Sequence, residues 1–298
     1  MSNLLPSIEA LPDRSLRLGS LEVHRVLPVR GRRMIGPWCF FDRFGPLRFE
    51  AEKVMDVGPH PHIGLQTVTW LLAGEIVHND SLGSECLVKP GHLSLMTAGR
   101  GIAHTEETPA QNSGLLDGVQ FWVALPESSR WLPPGYQCAS ALPRQHYRGG
   151  EVTAILGAFD GAVSPGHQFS PGVGAEIRVE PGSGLNLPLD PSFEYGAMLV
   201  DGDITVFDAP AERNTLYYLG AGRGELGLKS ASGARMLLIG GPPFGERILM
   251  WWNFVARTAD EILAARQQWE NRELVGDVPR YNGPRLPAPP FIGRPIGS

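Results

Sequence analysis

Gly58-Pro59-His60-Pro61-His62-Ile63-Gly64-Leu65-Gln66-Thr67-Val68-Thr69 decides how this chain is read. It places two imidazoles at positions i and i+2, bracketed by glycine and proline. In a strand, side chains at i and i+2 share a face, so His60 and His62 are expected to point together. Proline within a sheet is confined to edges and strand ends. The pair therefore belongs at the mouth of a barrel, where a ligand can enter. Further along, His104-Thr105-Glu106 repeats the spacing, with Thr105 directed away and His104 and Glu106 directed together.

Two such strands facing one interior present His60, His62, His104 and Glu106 to a single ion. Three imidazoles and a carboxylate suit a divalent first-row metal such as Fe(II), Mn(II), Ni(II) or Cu(II). On a six-coordinate ion, two positions stay open for a substrate oxygen and O₂. The other histidines receive structural or solvated roles. His78 and His92 sit beside turn residues, and His24, His146 and His167 have no partner at ligand spacing.

Short apolar runs surround these motifs. Leu65 to Leu72, Leu93 to Met96 and Val119 to Leu125 are expected strands, separated by turns at Ala73-Gly74-Glu75, Lys89-Pro90-Gly91 and Ala98-Gly99-Arg100-Gly101. This rhythm predicts an all-β sandwich or barrel. Leu71-Leu72-Ala73-Gly74-Glu75-Ile76-Val77 is echoed by Leu199-Val200-Asp201-Gly202-Asp203-Ile204-Thr205, offset by 128 positions. The same offset puts Pro188 and Asp190 opposite His60 and His62. The second half is therefore a copy of the first without its histidine pair, joined through the loop from Gln137 to Gly150. One helix is expected, opened by the capping box Thr258-Ala259-Asp260-Glu261 and ending near Asn271. The tail from Gly276 to Ser298, rich in proline, glycine and arginine, is expected to run extended along the surface.

Two matches are discounted. Gly222-Arg223-Gly224-Glu225-Leu226-Gly227 fits a dinucleotide fingerprint, but that motif must open a helix, and the residues after it read as strand and turn. Arg100 lies in a turn and is assigned to solvent.

The chain has 298 residues and a net charge of −5, with 26 Lys+Arg against 31 Asp+Glu and no basic block. Backbone-tracking nucleic-acid binders carry basic patches, so direct nucleic-acid binding is excluded. Cys39, Cys86 and Cys138 show neither a disulfide framework nor a zinc spacing and are assigned as buried apolar thiols in a reducing compartment. Met1 to Leu18 contains no basic region followed by an apolar core, and no apolar run is long enough to span a membrane. A cytoplasmic protein is expected.

The segment Gly58 to Thr69, then Pro90-Gly91, then Met96-Thr97-Ala98-Gly99-Arg100-Gly101-Ile102-Ala103-His104-Thr105-Glu106, closely resembles the pirin family of the cupin superfamily. Phe41-Asp42-Arg43-Phe44-Gly45-Pro46 and Phe121-Trp122-Val123-Ala124-Leu125-Pro126 extend the likeness. Gly240-Gly241-Pro242 and the late helix match more loosely. The resemblance implies two tandem cupin jelly-roll barrels. Residues 1–140 would form the metal-binding barrel, and residues 141–298 a degenerate barrel with the helix and tail.

It further implies one metal ion, commonly Fe(II), with Mn, Ni, Cu, Co and Zn as alternatives, held by His60, His62, His104 and Glu106. Some pirins resemble quercetin 2,3-dioxygenases, which implies a flavonol or other phenolic substrate and O₂, with Glu106 taking the substrate proton. The alternative it implies is an iron-dependent, redox-switched regulator that binds a protein partner. A monomer is expected, because two barrels in one chain can bury their shared interface internally. Many members have Arg after the second histidine and Glu four residues after it. This chain has Ile63 and Gln66, so the site is expected to lose a charge of each sign at its rim.

Overall fold

Alternating apolar residues and turn glycines build paired antiparallel sheets along most of this chain. The computed structural model describes residues 7–18, 21–50, 55–291 and 296–297. Its contacts divide the chain into two compact units. One comprises Met1–Ser15, His24–Phe41 and Ala141–Phe244; the other comprises Leu16–Val23, Asp42–Ser140 and Gly245–Ser298.

The second of these units carries the histidine motifs. Its strands are β1 (Asp56–His62), β2 (Leu65–Gly74), β3 (Ile76–Asp80), β4 (Glu85–Val88), β5 (Leu93–Thr97), β6 (Ile102–Glu107), β7 (Leu115–Ala124) and β8 (Gly135–Ala139). One sheet has the order β1–β6–β3–β4, and the order β8–β5–β2–β7 runs through the other. Every residue of β2 from Leu65 to Leu72 is buried, as is all of β5. Such continuous burial is expected of strands enclosed on both faces.

In the other unit, a large sheet contains β9 (Gly150–Phe159), β10 (Val173–Val179), β12 (Glu194–Gly202), β13 (Thr215–Gly220) and β15 (Ala234–Gly241), in the order β13–β12–β15–β10–β9; β11 (Ser183–Pro188) and β14 (Glu225–Ser230) pair in a smaller sheet. The internal repeat is structural. Gly74 ends β2 at φ 87° and Gly202 ends β12 at φ 82°. A Cβ there would fall 2.0 Å from the Leu115 carbonyl oxygen and 1.9 Å from that of Gly233, so both positions demand glycine. Where the repeat puts the lost histidines, Pro188 and Asp190 are exposed, and Asp190 accepts the Ser192 N–H in a turn. The interior is filled by Ile177, Leu185, Leu187, Leu226, Leu228 and Leu238. The discounted glycine motif runs into β14 rather than a helix, and Arg100 is exposed.

The C-terminal segment adds the hairpin β16 (Leu249–Trp251) and β17 (Phe254–Ala256), then α1 (Ala259–Glu270). Thr258 caps α1 by accepting the Glu261 N–H at 3.2 Å. Glu261 reaches back one residue further than a standard capping box, accepting the Arg257 N–H at 2.8 Å. Its carboxylate also takes both guanidinium nitrogens of Arg130 at 3.0 Å. Ile262, Ala265 and Trp269 form the buried face. The tail lies along β1: Leu286 N–H bonds the Pro59 carbonyl at 2.9 Å and Tyr281 bonds Asp56 at 3.0 Å. No helix among the described residues is long and apolar enough to cross a membrane.

Three expectations change. Helix and tail were assigned to the C-terminal barrel, yet Gly245–Ser298 packs into the unit that holds the histidine motifs, and segment 24–41 belongs to the other unit. Sequence order carries no record of that exchange. Cys86 on β4 and Cys138 on β8 form a disulfide, with Cα atoms 6.6 Å apart, whereas Cys39 is free and buried. The two cysteines lie on the edge strands of two sheets, 52 positions apart, so only the meeting of those edges pairs them. A disulfide between Cys86 and Cys138 does not fit the reducing compartment expected from the sequence. Ile63 and Gln66, expected at the rim of the site, are both buried. Ile63 packs with Phe254, Ala256, Ile262 and Ala265, and the buried Gln66 donates to Thr97 Oγ1 at 2.9 Å.

Candidate metal centre

Antiparallel pairing of β1 with β6 sets His60 opposite His104, and Ile102 opposite His62. The period-two rule then puts all three imidazoles on one interior face. His60, His62 and His104 are buried, with ligand atoms all within 4.8 Å of one another; they form the one such cluster found among the described residues. Ring centroids are 4.3 Å apart for His60 and His104, 5.0 Å for His62 and His104, and 5.1 Å for His60 and His62.

Each ring has a hydrogen-bond partner for its Nδ1. His60 Nδ1 meets the Gly58 carbonyl at 2.9 Å and His62 Nδ1 meets the Asn253 carbonyl at 3.1 Å. Carbonyls only accept, so both Nδ1 atoms carry the proton and both Nε2 atoms carry a lone pair. His104 Nδ1 lies 3.3 Å from His78 Nδ1. His62 Nε2 and His104 Nε2 face each other at 3.1 Å. His62 brings a lone pair to that contact, and two imidazole nitrogens held this close in a buried site fit ligands sharing one ion.

Burial, first, and the neighbouring imidazoles, second, hold His62 and His104 well below the ordinary 6.5. Burial also lowers His60, opposed by the Gly58 carbonyl and by the charge of Glu106. The rings are therefore neutral at pH 7, the form that ligates metals. The sign of the linkage follows. Each folded pKa lies below its unfolded value, so the unfolded chain binds more protons under pH 6.5 and stability falls with acidity. The metal-free protein is expected to keep this contribution above pH 6.5 and lose it as the pH falls toward the folded values. Urea denaturation at about pH 7.5 and about pH 5.5 measures it; a midpoint that does not fall would contradict the neutral trio.

Glu106 is buried beside the trio but outside its 4.8 Å group. The reason is local. β6 shifts register between His104 and Glu106, which lands Glu106 opposite Val57. Such bulges re-aim side chains. Its Oε1 accepts from Gln120 Nε2 at 2.7 Å and from Thr69 Oγ1 at 3.2 Å. Trp122, also on β7, sets its ring edge-on to His62 at 5.3 Å. The second sheet thus supplies the supports for ligands on the first.

Model matches identify the chain's two halves. Residues 20–123 match Pirin, and residues 174–275 match the Pirin C-terminal cupin domain. The chain is 45% identical over 274 residues to a Pseudomonas aeruginosa protein named "putative quercetin 2,3-dioxygenase", covering 92% of this chain and 87% of that one.

The chain belongs to the pirin family.

A pirin-like protein of Caulobacter vibrioides is 36% identical over 85% of this pirin and 89% of its own length. The crystal structure of quercetin 2,3-dioxygenase from Acinetobacter baumannii superposes with a TM-score of 0.92 at 42% identity, covering 97% of both chains. The bicupin architecture expected from the sequence is the one this pirin has, and its buried histidine trio can hold a metal ion.

His78, given a structural or solvated role from the sequence, takes the structural one, next to the trio. It is buried, 5.2 Å between ring centroids from His104, and stacked on Tyr136 at 4.0 Å with planes 4° apart. Its Nε2 meets Asp80 Oδ2 at 3.2 Å. Burial raises the Asp80 pKa, but hydrogen bonds from His78 and Ser84 bring it to a net value below the ordinary range. The signal was present in His78-Asn79-Asp80, a third i, i+2 pair of polar groups. Thr69, Gln120 and Asn253 gave no such signal.

Proposed function

We propose that this pirin is a metal-dependent dioxygenase that cleaves a flavonol such as quercetin with O₂. The observation that carries the proposal is the buried trio of neutral imidazoles with the Glu106 carboxylate fastened beside it. The relatives named for quercetin cleavage support the substrate class. His60, His62 and His104 would hold the ion through Nε2, and Glu106 would join them or stand by as base. Fe(II) is the ion we assign, since imidazole and carboxylate donors suit it. When bound, it supplies Lewis acidity toward a 3-hydroxyl oxygen and electrons toward O₂.

The chain's own residues do the rest. Gln120 and Thr69 hold Glu106 by Oε1, which leaves Oε2 to take the flavonol hydroxyl proton. Proton removal makes the flavonol electron-rich and reactive toward O₂, and the ring then opens. Trp122 and strand β2 are buried, and removal from bulk water strengthens the polar contacts made there.

Anaerobic loading with Fe(II), followed by air and quercetin, tests the assignment through the decay of flavonol absorbance. Wild type is expected to consume quercetin only when loaded. Glu106→Gln is expected to keep most of the metal and turn over about 10²- to 10⁴-fold more slowly, the range for losing a positioned base. Wild-type turnover by that variant would refute the role of Glu106. No decay in fully loaded wild type would refute the substrate assignment.

A further inference from the structure

We propose that His78 and Asp80 are positioning residues that fix the tautomer of His104, turning its Nε2 lone pair toward the metal. The proposal rests on the metal reading of the trio but not on any substrate.

The chain of contacts has one consistent proton arrangement. Asp80 Oδ1 accepts the Leu82 N–H at 2.9 Å and the Ser84 N–H at 3.0 Å, which locks the carboxylate into its turn. Asp80 Oδ2 lies 3.2 Å from His78 Nε2. A carboxylate only accepts, so His78 Nε2 donates. With its one ring proton placed on Nε2, the His78 ring offers a lone pair at Nδ1. His104 Nδ1, 3.3 Å away, must be the donor into it. Its Nε2 is left bare, facing His62 Nε2. The face of Tyr136 holds the His78 ring in plane, and Tyr136 is itself tied to Ser94 at 2.9 Å.

His104 differs here from the other two rings. His60 and His62 donate to backbone carbonyls, whose polarity no side chain can reverse. His104 donates to a group able to be either donor or acceptor. Asp80 alone decides which.

Asp80→Asn makes the test sharp. The asparagine oxygen can still hold the Leu82 and Ser84 amides, while its NH₂ now points at His78 Nε2. That nitrogen becomes the acceptor, so His78 carries its proton on Nδ1, against His104 Nδ1. His104 is driven to protonate Nε2 in the metal-free protein, and an ion must reverse that tautomer before it can bind there. Long-range ¹H–¹⁵N correlation spectra of metal-free, ¹⁵N-histidine-labelled protein read each tautomer directly. Titration with Co(II) against a competing chelator reads affinity.

Wild type is expected to show Nδ1–H on His104 and Nε2–H on His78. Asp80→Asn is expected to exchange both and to bind Co(II) about 10- to 100-fold more weakly, the usual cost of losing a ligand's outer partner. His78→Phe keeps a flat ring against Tyr136 and is expected to weaken binding in the same range; it decides the matter if Asp80→Asn does not fold. A packing role alone would move no tautomer. Nε2–H on His104 in wild type, or wild-type Co(II) affinity in the variants, would overturn the positioning role alone. Absence of Co(II) binding by wild type would overturn the metal reading and this proposal with it. Quercetin turnover enters none of these outcomes.

Discussion

His62→Ala is expected to lower metal affinity by at least about 100-fold, more than the loss of an outer partner costs. His62 touches both other imidazoles of the trio. Its Nε2 faces that of His104, its Nδ1 is held by Asn253, and its ring meets the edge of Trp122. The remaining imidazoles, His60 and His104, would leave an ion without a third nitrogen. Calorimetric titration with Co(II) or Fe(II) measures the loss directly. A thermal scan gives a second reading, because a ligand that binds only the folded state raises Tm. Added metal should raise the wild-type Tm and leave that of the variant unmoved. The variant also removes one group whose folded pKa is depressed, so its metal-free form should lose less stability between about pH 7.5 and about pH 5.5 than wild type. Tight binding by His62→Ala would exclude the trio as the metal site.

Gly64→Ala should destabilise the protein by about 4 kcal/mol, combining the cost of a left-handed alanine with that of a backbone clash. Gly64 has φ +70°, and a Cβ there would fall 2.1 Å from the Val255 carbonyl oxygen. Neither side can easily yield. The Gly64 N–H bonds Gly99 at 2.8 Å, its carbonyl takes the Leu125 N–H at 3.0 Å, and Val255 N–H bonds Ile63 at 3.1 Å. Val255 is two residues from Asn253, whose carbonyl orients His62. Relief of the clash would shift that carbonyl, so metal affinity should fall together with stability. Urea denaturation, with midpoint and slope both measured, gives the first quantity. A loss under about 1 kcal/mol would show that the β16–β17 hairpin is free to move away.

Much of the centre could be read from the chain because strand geometry is periodic. His60, His62 and His104 share a face as soon as their segments are strands, and antiparallel pairing of β1 with β6 finishes the task. Glu106 obeys the same rule less closely, since the register shift after His104 moves it outside the tight group. A bulge is one inserted residue, with no compositional mark here. Ile63 and Gln66 were assigned to a rim because they flank the ligands in sequence. In the fold, Ile63 faces the packed C-terminal helix and Gln66 the interior of the second sheet. His78 was passed over because its turn-side position carries no hint that β3 lies beside β6. The pairing His104 opposite Asp80 and Glu106 opposite His78 supplies that neighbour.

By itself the sequence determined the strand-and-turn rhythm, the repeat and the clustering of His60, His62 and His104. Each follows from short-range periodicity or from residue chemistry, which a linear string records. Only the tertiary structure decided what holds those imidazoles in place. The carbonyl for His62 comes from 191 positions away, the amide for Glu106 from the facing sheet, and the disulfide partner of Cys86 from another sheet's edge. Hydrogen-bond acceptors of this kind are backbone atoms or common polar side chains. They become specific only when the sheets close around them.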